Sequence, residues 1–382
     1  MLDIRKILQR SWQILWNYRT LWIFGFILAV AIGGNNFGNN SGYRFNNGQT
    51  NQPSSGVQNP RGWEGLHGNT FTEKLNDAFR QAGAAISKLQ EQHPVEFRMG
   101  IAVAITLFVV ILLLGLTIAI LRYVAETASI RMVSEYEQTG VKIGFRQGWK
   151  YGWSRTSWRL FLINFIVHIP VLVLFVVLGL LAWWIFSALL GGVQSAIISS
   201  LIASIGLAFL FIFVTVILMV VLYVLRDLAW RMAVLEGTGV MESLNKVTVL
   251  VRRQWKNVGL MWLVMIGIRI VWAIAFIILI LPLLVVSILT AVGGLLVAVV
   301  PTLLTAGIAS LLSAPDYWPW VFALVIGLPF FFIVTFSPIF LVNGWGQIYQ
   351  SSVWTLTYRE VKALETVTPA STEGTKSVAV QQ

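Results

Sequence analysis

Residues 199–227 read SSLIASIGLAFLFIFVTVILMVVLYVLRD, an uncharged run that ends only at Arg226 and Asp227. Water expels an apolar run of this length, and a helix is the form in which such a segment satisfies its own backbone. About 20 such residues cross a bilayer core. Working outward from Ser199–Leu225, comparable runs occur at Leu21–Ile32 (extendable back to Trp16), Met99–Leu121, Phe161–Leu190, Leu260–Leu289 and Trp318–Val342. They predict an all-α integral membrane protein with about six transmembrane helices. Leu295–Leu312 is also uncharged, but it contains Pro301 and follows Gly293 and Gly294. It reads as a short, hairpin-like re-entrant piece, with a seventh span as the rival.

Composition agrees. Of 382 residues 57% are hydrophobic and 11% charged, against roughly 25% charged in soluble domains. There is no cysteine, which excludes disulfides, thiolate catalysis and Cys-ligated metal. The net charge of +11 argues for an anionic membrane surface and not for nucleic acid, because the basic residues sit beside the apolar runs. Most of the 17 Trp lie near the ends of those runs, where the ring prefers the headgroup layer.

Lys and Arg near span ends set orientation. Segment 122–159 has seven basic and three acidic residues, and 226–258 has six and three. Segment 1–19 has Arg5, Lys6, Arg10 and Arg19 against Asp3, whereas the longer 35–98 has six basic and five acidic. The expected arrangement is a bacterial inner-membrane protein with the three basic segments and both termini in the cytoplasm. In residues 1–32, Ile4, Ile7, Leu8, Trp12 and Leu15 share a helical face, which predicts an amphipathic surface helix before the first span. A cleavable signal peptide ending near Ala29-Val30-Ala31 is the competing reading. Residues 33–98 form an outer loop. Its Asn/Gly-rich part, 33–69, is expected to be mobile, and 70–92 is expected to be helical from the capping pattern of Thr70 and Glu73 and the spacing of Phe71, Leu75, Phe79, Ile86 and Leu89. Residues 99–366 form the membrane bundle, and 367–382 a disordered cytoplasmic tail.

The two large basic segments resemble each other. Arg122 matches Arg226, Thr139-Gly140-Val141 matches Thr238-Gly239-Val240, and Trp149-Lys150 matches Trp255-Lys256. The spacing marks an internal repeat of span, small polar helix, basic aromatic helix and span. In GFRQGWKYGWSR (144–155), residues four apart share a helix face. Gly144, Gly148 and Gly152 form one stripe, Phe145, Trp149 and Trp153 the next, and Lys142, Arg146 and Lys150 a third. The glycines predict close approach to another helix. The basic stripe, with Arg252, Arg253 and Lys256 in the second copy, supplies candidates for lipid headgroups. A packed interfacial anchor is the plainer alternative.

Three polar residues fall within apolar runs: Asn164 and His168 on one face of the third span, and Arg269. Arg269 either snorkels from a span beginning at Ile270 or pairs with Asp227 or Glu126. No acidic residue lies at clear membrane depth, which disfavours a proton- or cation-coupled pump. Nucleotide-binding and hydrolase motifs are missing, and His67 and His93 are too far apart to suggest a metal site. No enzyme, cofactor or metal role is expected. The reading is a lipid-interacting or scaffold protein, with anionic lipids and a membrane protein as partners. A transporter or channel for a small or lipidic solute is the alternative.

RSWQILWNYRTLWIFGF and the TGV…RQGWK and TGV…RRQWK segments resemble a broad group of bacterial polytopic membrane proteins. The group includes the membrane domain that precedes the catalytic barrel of some glycerophosphodiester phosphodiesterases. The resemblance covers about residues 1–360. It implies a membrane domain without the barrel, so no catalytic residue carries over.

Overall fold

The structure is a computed structural model, and it describes residues 2–39, 79–80, 83–84, 94–190, 194–311 and 318–378. The described elements are helices: α1 (Ile4–Asn17), α2 (Thr20–Asn39), α3 (Pro94–Thr139), α4 (Phe145–Gly152), α5 (Arg155–Leu190), α6 (Gln194–Leu235), α7 (Val240–Arg253), α8 (Trp255–Leu311), α9 (Trp318–Thr335) and α10 (Ser337–Val378). The expected mobile loop and the 70–92 helix lie outside the described residues, apart from α2 running on to Asn39 and the helical residues 79–80 and 83–84. α10 stays helical to Val378, into the segment assigned to a disordered tail.

Four helices carry stretches long and apolar enough to cross a membrane: Phe108–Thr139, Arg155–Leu181, Gly206–Leu235 and Trp255–Leu311. Two bent pairs, Ile4–Asn17 with Thr20–Ile32 and Pro319–Thr335 with Ser337–Glu365, raise the count to as many as six. No more than 17% of each apolar window in the four is buried within the protein. So much bare apolar surface requires an apolar surrounding, which a bilayer supplies.

The chain divides into two compact units. One comprises Gly38–Leu113 and Ile169–Met219, and its apolar side chains, such as Phe108, Leu172, Phe175 and Phe209, are exposed. The other comprises Met1–Phe37, Leu114–His168 and Val220–Gln382 and holds the core. That core joins Ile14, Leu15, Phe24, Ala125, Met132, Leu228, Val247, Met261 and Trp354. Several of its buried hydroxyls bond along their own helices: Thr127 donates to the Tyr123 carbonyl, Ser129 to Ala125, Thr355 to Ser351 and Thr357 to Val353. Such bonds let polar residues enter a packed core at little cost.

α1 is the expected amphipathic helix. A 14-residue helix is marginal alone, and burial of Ile7, Ile14 and Leu15 docks it; each fully buried side chain of this kind contributes about 1.5–3 kcal/mol. Asp3 caps its first turn through Lys6 N. The buried face is rotated from the expected one, since Trp12 is exposed and Ser11 is buried. A bend of 99° separates α1 from α2, so α1 runs across the span that follows it.

Two of the three stripe glycines face close neighbours. A Cβ on Gly148 would strike Met132 Sδ and Phe24, and one on Gly152 would strike Val124 backbone and side chain. Gly144 has open space around it and serves as the extended N-cap of α4. Gly152→Ala is therefore expected to cost about 1–3 kcal/mol, and Gly144→Ala less than about 1 kcal/mol. Thermal unfolding of the two variants in one detergent checks the order.

The matched TGV triplets do not share a backbone conformation. Gly140 takes φ +71 and ends α3, but in the second copy the left-handed glycine is Gly237 (φ +68), while Gly239 is an extended N-cap. The re-entrant reading of Leu295–Leu312 is corrected: α8 continues through Gly293, Gly294 and Pro301 to Leu311. Pro301 offers no N–H to the Val297 carbonyl, and hydroxyls on the same turns bond to neighbouring carbonyls. Thr302 donates to the Ala298 carbonyl and Thr305 to Pro301, each at 2.6 Å. The second half of α8 packs along α9, with Gly294 against Thr335 and Phe331, and Gly327 against Thr302.

Candidate functional site

The apolar windows end in charge. At the ends of α3 and α6 the sequence turns from uncharged residues to RYVAE and LRDLAWR, and these turns meet in the packed unit. Arg231 is 2% exposed. Its guanidinium lies 3.6 Å from the Glu126 carboxylate and donates to the Asp227 carbonyl at 2.6 Å. Ser351 Oγ donates to the same Glu126 at 3.0 Å. A buried charge requires a partner, and Glu126 supplies it across α3, α6 and α10.

Arg226 pairs with Asp227 at 3.1 Å and stacks on the rings of Tyr223 and Trp230, at 4.9 and 4.8 Å. Arg269 of α8 faces the same Tyr223 ring at 4.6 Å. It donates to the Tyr223 hydroxyl and, at 3.4 Å, to Gln350 Oε1. Neither alternative pairing of Arg269 occurs among the described residues: Glu126 is taken by Arg231 and Asp227 by Arg226. The guanidinium is exposed, with a ring and an amide as its partners, so the cluster carries three arginines against two carboxylates. It retains a positive charge where the apolar surface stops.

The basic candidates lie on the surface. Lys142, Arg146 and Lys150 are exposed on and beside α4, and among the described residues none has a carboxylate partner. Phe145 and Trp153 are exposed next to them, with Trp149 stacking on Trp153 at 6.3 Å. In the second copy Arg252 and Lys256 are exposed, Lys256 lies over Trp255 at 5.8 Å, and Arg253 reaches Glu365 at 3.4 Å. Arg253 is thus partly neutralised, which its sequence neighbours gave no means of foreseeing.

Asn164 and His168 do not join Arg269 through any hydrogen bond among the described residues. His168 is exposed, and its Nδ1 lies 2.6 Å from the Asn164 carbonyl one turn earlier. Asn164 lies against Tyr123, which packs edge-on to Trp230 at 6.2 Å, so it touches the rim of the arginine cluster. The residues that sequence reasoning missed are Arg231, Tyr223, Gln350 and Ser351. The i+4 spacing of Arg231 from Asp227 was the one available signal. Arg269→Leu is expected to leave the fold intact, because Arg269 is exposed, and to shift intrinsic fluorescence little.

Two cavities flank Arg359. One, of about 270 Å³, is lined by Lys6, Arg10, Glu137, Arg359 and Glu360 among others. Another, of about 370 Å³, includes Ser134, Glu236, Tyr358 and Lys362. Partial burial would raise the Glu236 pKa, but hydrogen bonds from Lys362 and Tyr358 outweigh it and hold the carboxyl below its ordinary 4.5. A depressed folded-state pKa adds stability above the ordinary value that is lost as pH falls through the lowered one. Wild type should therefore lose stability below about pH 4.5 faster than Lys362→Met, as read by thermal midpoints across an acid series.

The chain belongs to the family of unknown function DUF7544, which matches residues 8–355. No curated protein and no solved structure matches it.

Proposed function

We propose that this protein holds anionic lipid headgroups at the cytoplasmic face of a bacterial inner membrane, and thereby serves as a scaffold for a membrane partner without being an enzyme. One observation carries the reading: Lys142, Arg146 and Lys150 are exposed, lack carboxylate partners among the described residues, and stand beside exposed Phe145 and Trp153. Aromatic rings favour the headgroup layer, and each basic residue near an anionic surface contributes about 1 kcal/mol. Arg252 and Lys256 beside Trp255 repeat the chemistry. In this reading both termini and all basic segments lie on the cytoplasmic side. The likeness to the membrane domain of glycerophosphodiester phosphodiesterases is consistent with a membrane role and supplies no activity.

The test is extraction with surrounding bilayer in polymer discs, followed by lipid mass spectrometry. Wild type should retain anionic lipid above its bulk share. The triple variant K142Q/R146Q/K150Q should lose at least about tenfold of that enrichment. Unchanged enrichment in a folded triple variant would sink the lipid reading.

A further inference from the structure

α9 ends at Thr335 and α10 begins at Ser337, with a 64° bend between them. Pro338 has no N–H to offer the Val334 carbonyl four residues earlier, so that carbonyl at the C-terminal end of α9 loses its helical donor. The packed face of α8 opposite this break holds Ser287, Thr290 and Gly294. Thr290 Oγ1 lies 2.7 Å from the Thr335 carbonyl, 3.1 Å from that of Ser287 and 3.3 Å from that of Val286. Ser287 is 3% exposed and Thr335 7%, yet among the described residues neither hydroxyl has a hydrogen-bond partner. Gly294 leaves the room that Thr335 Oγ1 occupies, since a Cβ there would come within 2.6 Å of it.

Buried polar atoms without partners call for an explanation. Here the hydroxyls of Ser287 and Thr335, that of Thr290 shared among the Val286, Ser287 and Thr335 carbonyls, and a negative helix end occupy facing turns in an apolar surrounding. Interrupted membrane helices use this set, free carbonyls and a half-helix C-terminus, to coordinate a small cation. The donor chemistry also selects the charge. Between Leu281 and Phe340 the sequence has no acidic residue except Asp316, which lies outside the described residues. Divalent ions rely on carboxylates, whereas neutral oxygens suffice for a monovalent one. The geometry points to a monovalent-cation site, of the sodium or potassium class, formed by Ser287, Thr290 and Thr335 at the α9–α10 break. The lack of acidic residues at membrane depth, which disfavours a carboxylate-based pump, does not bear on a site of this kind. The inference is independent of the lipid reading, and the K142Q/R146Q/K150Q variant should keep the site.

The test uses the full chain in lipid discs and follows unfolding by tryptophan fluorescence in sodium, potassium or choline chloride at equal ionic strength. Sodium or potassium should raise the midpoint saturably by about 3 °C over choline. S287A and T335V should each keep the choline midpoint and lose the increment. Equal midpoints in all three salts, or an increment that persists in both variants, would overturn the site and leave the hydroxyls to buried water. If the variants fail to fold, radiolabelled sodium and potassium on wild type decide. Saturable binding of either that choline does not displace supports the site, and binding no greater than to empty discs overturns it.

Discussion

Gly344→Leu should prevent the protein from accumulating in folded form. Gly344 of α10 and Gly25 of α2 meet backbone to backbone: a Cβ on Gly344 would lie 2.6 Å from the Gly25 carbonyl carbon, and one on Gly25 2.7 Å from the Gly344 carbonyl oxygen. Backbone cannot rotate aside as a side chain does, so relief requires separating the two helices. Separation would open the neighbouring aromatic cluster, where Trp22 and Trp345 stand 5.0 Å apart, and the Phe26–Phe340 contact at 6.3 Å. Overpacking of a core costs typically 1–3 kcal/mol and sometimes more; here about 3 kcal/mol or more is expected. Gly267→Leu, on a helix face with open space around it, is the control. Size-exclusion profiles of fluorescently tagged variants should show a folded peak for Gly267→Leu and aggregate for Gly344→Leu. Equal profiles would mean that the two helices do not touch as described.

The second large effect concerns Glu126. Glu126→Leu should destabilise by about 3–5 kcal/mol, because it strands the buried Arg231 without a countercharge. Among the described residues the Nε of Arg231 already lacks a partner, and the Asp227 carbonyl is a dipole that cannot replace a carboxylate. The double variant Glu126→Leu/Arg231→Leu should recover much of the loss, since removing both charges removes the desolvation cost with them. Thermal midpoints of the four members of this cycle measure it. If the double variant is as unstable as the sum of the singles, the pair is not coupled and the cluster needs another explanation.

How far the fold could be read from the sequence follows the range of the forces involved. The spans were legible because a run such as Ser199–Leu225 has one physical solution wherever it sits. The contacts of Gly148 and Gly152 were legible too, because their four-residue spacing names a helix face without naming its partner. Gly25 and Gly344 were not, since the reason for each glycine lies at the opposite end of the chain. Arg269 illustrates a different gap. Charge reasoning looks for a carboxylate, but a guanidinium is also satisfied by an aromatic face and an amide, and nothing in the spacing of Tyr223 and Gln350 identifies them as partners. At Gly293, Gly294 and Pro301 the local rules for helix breakers gave way to tertiary packing. Gly294 lets α9 approach, and Thr302 and Thr305 bond to helix carbonyls around the proline. The basic stripe was visible as a pattern, though the capture of Arg253 by Glu365 depends on α10.

The most direct measurement of the central claim is the bilayer depth of the two basic faces. The chain has no cysteine, so single cysteines at positions 146, 150, 252 and 256 can carry a fluorophore without background. Quenching by lipids that bear nitroxides at known depths should place all four labels in the headgroup layer of one leaflet, at similar depth. Labels quenched only by a water-soluble agent, or faces found on opposite leaflets, would contradict the account.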